Sequence, residues 1–174
     1  MLAHMRAVLL SVALFLVAAS ARADAVLLDG VAARVDDHIV YLSDVRERAH
    51  GQLDKPAMRA ALDSIIDAIL FAKRADEQHV TVSSDELRRM RENVEQRNGL
   101  TDAQFIEELH KQGMTQATWE AIAREQLLEG KVLQIEVMKE PHPTAEAEIE
   151  AWLVKRRAEL VKKLRADAVI EVRL

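Results

Sequence analysis

The stretch VLQIEVMKEPHPTAEAEIEAWL, residues 132–153, decides how this chain is organised. Apolar residues on both sides of it keep helical spacing. Pro141, His142 and Pro143 interrupt that spacing, because proline lacks a backbone donor and disfavours helix in the residue before it. The interruption is open to three readings: a metal site, a hinge, or a seam from which something larger is missing. His142 has no second histidine within a few residues and the chain has no cysteine, so zinc-ligand spacing is unmet. From the residues alone, a stiff turn between two helices is the simplest reading.

The ends of the chain bound the rest. A short basic n-region, Met1 to Arg6, leads into the apolar run Ala7–Ala19, and Ala21, Arg22 and Ala23 then offer small residues for signal peptidase. Residues 1–23 therefore read as a cleavable signal peptide cut between Ala23 and Asp24, because the apolar run is short of the ~20 residues that span a bilayer. An exported chain with no stable membrane insertion after cleavage is expected. Removing Arg6 and Arg22 takes the charge from 24 − 29 = −5 to 22 − 29 = −7. That balance argues against nucleic acid as a partner. Without cysteine, the remaining residues 24–174 depend on one apolar core and no disulfides. Low glycine and proline counts (5 and 3), 30% charged residues and 3% aromatics indicate a mainly helical protein.

Along the chain, Val31–Val35 and Ile39–Tyr41 are β-prone and flank Asp36 and Asp37, which predicts a hairpin. Ser43 is read as the cap of a first helix, with Asp44 in its first turn. From Pro56 to about His79, Met58, Leu62, Ile65, Ile66, Ile69 and Leu70 form one broad apolar face, the core helix. Capping boxes at Ser83 with Glu86 and at Thr101 with Gln104 open the next two helices, closed by Gly99 and Gly113. Thr115 starts a fifth helix, with Trp119, Ile122, Leu127, Leu128, Val132 and Ile135 running along it toward Glu140. Gly130 within it costs up to about 1 kcal/mol relative to alanine unless something packs on its bare backbone. Thr144 caps a last helix whose inner side carries Ile149, Trp152, Leu153, Leu160 and Leu164. The chain then closes on DAVIEVRL, an alternating strand. A lone strand leaves its backbone groups unpaired, so the two ends are expected to meet in a small sheet.

The order and wording of these elements resemble the SurA family of periplasmic chaperones. GVAARVDDHIVYLSDV (30–45) is similar to that family's opening "VAxVN…vvlxSDV" hairpin and helix. RAALDSIIDAILFAKRADEQHVTVSSDEL (59–87) is similar to its "LxxLIdxxLlxqxAxxxgixVsdxEl" segment, and RNGLTDAQFIEELHKQGMTQATWEAIAREQLLEGKVLQIEV (97–137) to its "nnlsxxqfxxxLxxxGxsxxxyrxxIrxqlxxxkl" stretch. AWLVKRRAELVKKLRADAVIEVRL (151–174) resembles its C-terminal helix and strand. His38 stands where the family's turn often has glycine. The resemblance implies a mainly α, SurA-like and trigger-factor-like peptide-binding domain, its small sheet formed by the N-terminal hairpin and the C-terminal strand. It divides the chain into a helical region, 29–140, a seam at 141–143 where the family's parvulin-type isomerase insert is missing, and a C-terminal helix and strand, 144–174.

No "HILI"-like strand or "GGDLG"-like turn of a parvulin occurs, so no isomerase chemistry, catalytic residue or cofactor is expected. Asp36 with Asp37, Asp85 with Glu86, and Glu107 with Glu108 are the acidic pairs, and nothing in the pattern sets any pair across a pocket. Methionines adapt to varied apolar partners. Met58 reads as core, whereas Met90, Leu100, Phe105 and Met114 lie around helix ends that would frame a client cleft. The implied function is ATP-independent holding of unfolded or extended envelope or outer-membrane proteins. An adaptor docking on one folded partner, such as a separate isomerase or an assembly machine, is the alternative. A prolyl isomerase rests on family naming only.

Overall fold

A computed structural model describes residues 29–137, 139, 143 and 146–174. The signal-peptide reading, the Ala23/Asp24 cleavage point, most of the EPHP seam and the Thr144 cap lie outside those residues. Among the described residues the chain runs β1 (Val31–Val35), β2 (His38–Tyr41), α1 (Leu42–Arg48), α2 (Lys55–Glu77), α3 (Ser84–Asn98), α4 (Asp102–Lys111), α5 (Gln116–Val137), α6 (Glu146–Asp167) and β3 (Ile170–Val172).

The two ends do meet. Strand β1 lies between β2 and β3 and is antiparallel to both. Its hairpin turns on Asp36 and Asp37, and Asp36 takes φ +52°, a left-handed conformation that aspartate tolerates better than most residues. The positive φ therefore falls on Asp36, and His38, where the family often has glycine, is the first residue of β2. Asp36 also binds the far end of the chain. Its N–H donates to the Val169 carbonyl at 2.8 Å, its Oδ1 accepts from the Val169 N–H at 2.8 Å, and its Oδ2 accepts from Lys73 Nζ of α2 at 2.6 Å. The hydrogen bond from Lys73, then that from Val169, holds the Asp36 carboxyl below its ordinary pKa.

Helix α2 is the central element. Asp54 caps it, accepting from Ala57 N at 3.0 Å, and Pro56 sits in the first turn, where no intrahelical donor is lost. Met58, Ala61, Leu62, Ile66 and Leu70 pack against Ala32, Ala33, Val35 and Val40 of the sheet and Val45 of α1. Leu62 is 0% exposed, and full burial of such a side chain contributes roughly 1.5–3 kcal/mol. One turn further on, Phe71 and Ala75 pack with Val132 of α5 and Leu160, Val161 and Leu164 of α6. Ion pairs lace the same seams: Arg165 of α6 with Asp63 (3.1 Å) and Asp67 (2.7 Å), Arg74 of α2 with Glu136 of α5 (2.7 Å), and Arg157 of α6 with Glu129 of α5.

Helices α3 and α4 form an arm whose main packing partner is α5. Both capping boxes are formed, Ser83 N to Glu86 Oε2 at 2.9 Å and Thr101 N to Gln104 Oε1 at 2.8 Å, and Gly99 closes α3 at φ +63°. Phe105 and Leu109 are buried, and the Phe105 ring meets Trp119 edge to face at 5.1 Å. The linker before α3 is pinned by α5, where Lys131 Nζ donates to the Thr81 carbonyl at 2.6 Å and pairs with Glu86 at 2.6 Å, and Arg124 donates to the Val82 carbonyl at 3.0 Å.

Two expectations, at Ser43 and Ile149, need correction. Ser43 does not cap α1: the helix begins at Leu42, directly after β2, so Tyr41 occupies the cap position and its N–H donates to Asp44 Oδ2 at 3.0 Å. Ser43 instead binds Asp29 through its N–H (3.1 Å) and hydroxyl. Ile135 is 38% exposed and Ile149 is 37% exposed, so neither end of the α5–α6 pair presses its apolar stripe fully inward. Among the described residues nothing packs on Gly130, where an added Cβ would meet no atom outside its own turn of helix within 4 Å.

Two predictions follow from these contacts. Gly130→Ala is expected to stabilise the domain by up to about 1 kcal/mol, read as a higher urea midpoint with unchanged slope. Glu86 has its carboxyl lowered from 4.5 to about 2, first by Lys131 and then by Ser83. A depressed carboxyl stabilises the fold above its unfolded value, and that contribution is lost as pH falls from about 4.5 toward about 2. Urea titrations at stepped pH should therefore show wild type losing more stability across that window than Lys131→Met does.

Candidate binding cleft

Sheet, α1, α2 and α5 do not close on one another completely. They leave an open cleft of about 750 Å³. Its floor follows from the width of the apolar face on α2. Leu62 and Ile66 point into the core, while Ile65 and Ile69, one turn apart on the flank, are only half-buried and line the cleft. Strand alternation sends Val40 inward and Ile39 outward, leaving Ile39 51% exposed beside the same cleft. Ile122 of α5 and Met114 of the α4–α5 turn complete the apolar lining. That turn is shaped by Gly113 at φ +70° and by the Met114 N–H, which donates to the Leu109 carbonyl at 2.9 Å.

The rim is polar. Asp44, Glu47 and Arg48 come from α1, His50 and Gly51 from the α1–α2 turn, and Glu125 from α5. Arg48 donates to Glu125 at 2.8 Å, an ion pair that crosses from α1 to α5. The same two residues border a second crevice of about 520 Å³, lined by Asp63, Asp67, Gln126, Glu129 and Arg157. An ion pair thus stands where the apolar cleft gives way to a polar one.

Of the four residues singled out from sequence, only Met114 lines this cleft. Phe105 is 3% exposed, clamped between Trp119 and the Arg91 guanidinium, which lies 5.3 Å from its ring centre. Met90 and Leu100 are half-buried on the α3–α4 arm and are not part of the cleft lining. The residues that sequence reading missed are Ile39, Ile65, Ile69 and Ile122. Ile65 and Ile69 were legible as apolar, and an apolar face on α2 broader than one neighbour can cover was the available signal. The acidic pairs have structural partners: Asp85 with Arg88, Glu86 with Lys131, and Glu107 and Glu108 with Lys111. Among the described residues, no group of three His, Cys, Asp or Glu is placed to hold a metal ion, and no helix is long and apolar enough to cross a membrane.

Residues 1–133 match the family described as the SurA-like N-terminal domain. The chain belongs to the SurA-like family. Every residue named above on the cleft lies inside the matched region. The SurA-like chain is 34% identical over 102 residues to the putative peptidyl-prolyl cis-trans isomerase SurA of Haemophilus influenzae, covering 59% of this chain and 32% of that protein. It is 30% identical over 114 residues to the chaperone SurA of Hahella chejuensis, covering 58% of this chain and 26% of that one. These alignments span about a third or less of the length of those relatives.

The different placements of Phe105 and Met114 separate packing from lining. Phe105→Ala should cost about 3–5 kcal/mol of folding stability. Met114→Ala, at a half-buried position, should cost less than about 1.5 kcal/mol. Chemical denaturation of the two variants measures both.

Proposed function

We propose that this domain is an ATP-independent holding chaperone that binds unfolded or extended polypeptide segments reversibly in the cleft between β2, α1, α2 and α5. The observation that carries the reading is an open apolar cleft, lined by Ile39, Ile65, Ile69, Met114 and Ile122, within the region that matches the SurA-like N-terminal domain. Unfolded chains expose apolar side chains, and a solvated apolar cleft gains free energy by covering them. Binding requires no nucleotide, because contact area alone drives it. The clients proposed are envelope or outer-membrane proteins met in the periplasm after cleavage at Ala23. Of the sequence candidates, Met114 is the one proposed to touch client, and Phe105 to hold the arm that carries the α4–α5 turn.

The proposed domain arrangement follows from how α6 is anchored. Arg165, Leu164 and β3 fix its C-terminal end to α2 and β1, at the opposite end of the helix from its first residue, Glu146. An insert at that seam would leave the core undisturbed, which supports reading 141–143 as the place where the isomerase insert of longer SurA proteins is missing.

The test is light scattering of a denatured outer-membrane β-barrel protein diluted into buffer with residues 24–174. Aggregation should fall in proportion to added chain without nucleotide, and Met114→Asp, folded by circular dichroism, should weaken the protection at least about tenfold in the concentration required. Unchanged aggregation in the presence of folded, monodisperse chain rejects holding.

A further inference from the structure

The rim of the cleft carries a charge pattern that packing does not explain. Asp44, Glu47 and Glu125 face one arginine, Arg48, so with His50 neutral the rim charge is 1 − 3 = −2. Glu125 is matched by Arg48 at 2.8 Å, and Asp44 has a local task at the start of α1, accepting from Tyr41 N. Glu47 has neither. It is exposed, and among the described residues no hydrogen bond or ion pair engages its carboxylate. It also sits in the last turn of α1, where the helix carbonyls already concentrate negative charge and favour a base, and its neighbours Arg46 and Arg48 are bases. An acid at that position opposes the helix it belongs to.

We propose that Glu47, together with Asp44, makes the cleft selective for extended apolar segments flanked by lysine or arginine, with Glu47 as the specificity-determining residue. This inference rests on the cleft being the client site. An apolar side chain of such a segment lies on Ile65, Ile69 and Ile122. The flanking basic residue runs its methylene stem over the Ile39 side of the cleft and places its cation at the carboxylate rim. An acid-flanked segment would bring like charge to the same rim as the apolar contacts exclude water, where repulsion is strongest. Because the rim is only partly buried, the selectivity weakens as salt screens it.

The experiment is fluorescence anisotropy of three labelled peptides that share one alternating apolar stretch and differ only in flanks of lysine, serine or glutamate, measured at low and high salt. The expected affinity order is lysine, serine, glutamate, with about a tenfold span at low salt that shrinks at high salt. In Glu47→Lys the ratio of lysine-flanked to glutamate-flanked affinity should fall to near one or invert, and Glu47→Gln should give an intermediate ratio. Equal binding of the three peptides by wild type overturns the selectivity and leaves the holding reading standing. A span that persists in both variants overturns the assignment to Glu47. If none of the three peptides binds, the cleft reading fails and this inference fails with it.

Discussion

The structure depends on strand β1 being hydrogen-bonded along both edges. One edge takes β2, its neighbour in sequence, and the other takes β3 from the far end of the chain. The Asp36 carboxylate closes that second pairing across 133 residues, and Lys73 ties the same carboxylate to α2. Without β3, β1 would present an open edge, and α6 would keep only its flank contacts with α2 and α5. With β3 in place, α6 lies along α2 and the two apolar clusters share Leu164. A closure between residues so far apart in sequence carries a loop-entropy cost that a local hairpin does not. It makes the sheet the place where the segment that opens the described fold joins the segment that closes it.

What could be read from the sequence was what is local. The capping boxes at Ser83 and Thr101, the glycine stops at Gly99 and Gly113, and the broad apolar face of α2 each involve residues a few positions apart, and each is present. The terminal sheet was legible for a different reason: backbone donors must be paired, and only one other region was β-prone. The start of α1 was misplaced because β2 enters the helix without a linker, so the cap fell on Tyr41, a residue with no capping signature. The cleft was mostly illegible. Its walls come from four segments, and whether Ile65 is core or lining depends on how far α5 stands from α2, which no local pattern encodes. Phe105 has the composition of a client contact, yet Trp119 and Arg91 enclose it.

The energetics divide along the same line. The cluster around Leu62 and Ile66 is closed by the sheet and α1, and supplies the stability. The flank of the same helix, Ile65 and Ile69, is left half-buried at a cleft that the sheet borders without closing. Apolar surface kept open in this way lowers folding stability relative to a closed core, and a domain that retains it gains a surface for passing apolar chains. The Arg48–Glu125 pair bridges α1 and α5 at the edge of that cleft.

The central claim is that apolar client segments occupy this cleft and not another face of the domain. Methyl-labelled NMR of residues 24–174, titrated with an unfolded β-barrel fragment, tests it most directly. The account predicts that the largest shifts fall on Ile39, Ile65, Ile69, Ile122 and Met114, while the methyls of Leu62 and Ile66 behind them move little. Shifts concentrated on the α3–α4 arm or on the exposed Ile149 end of α6, with the cleft methyls unmoved, would contradict it.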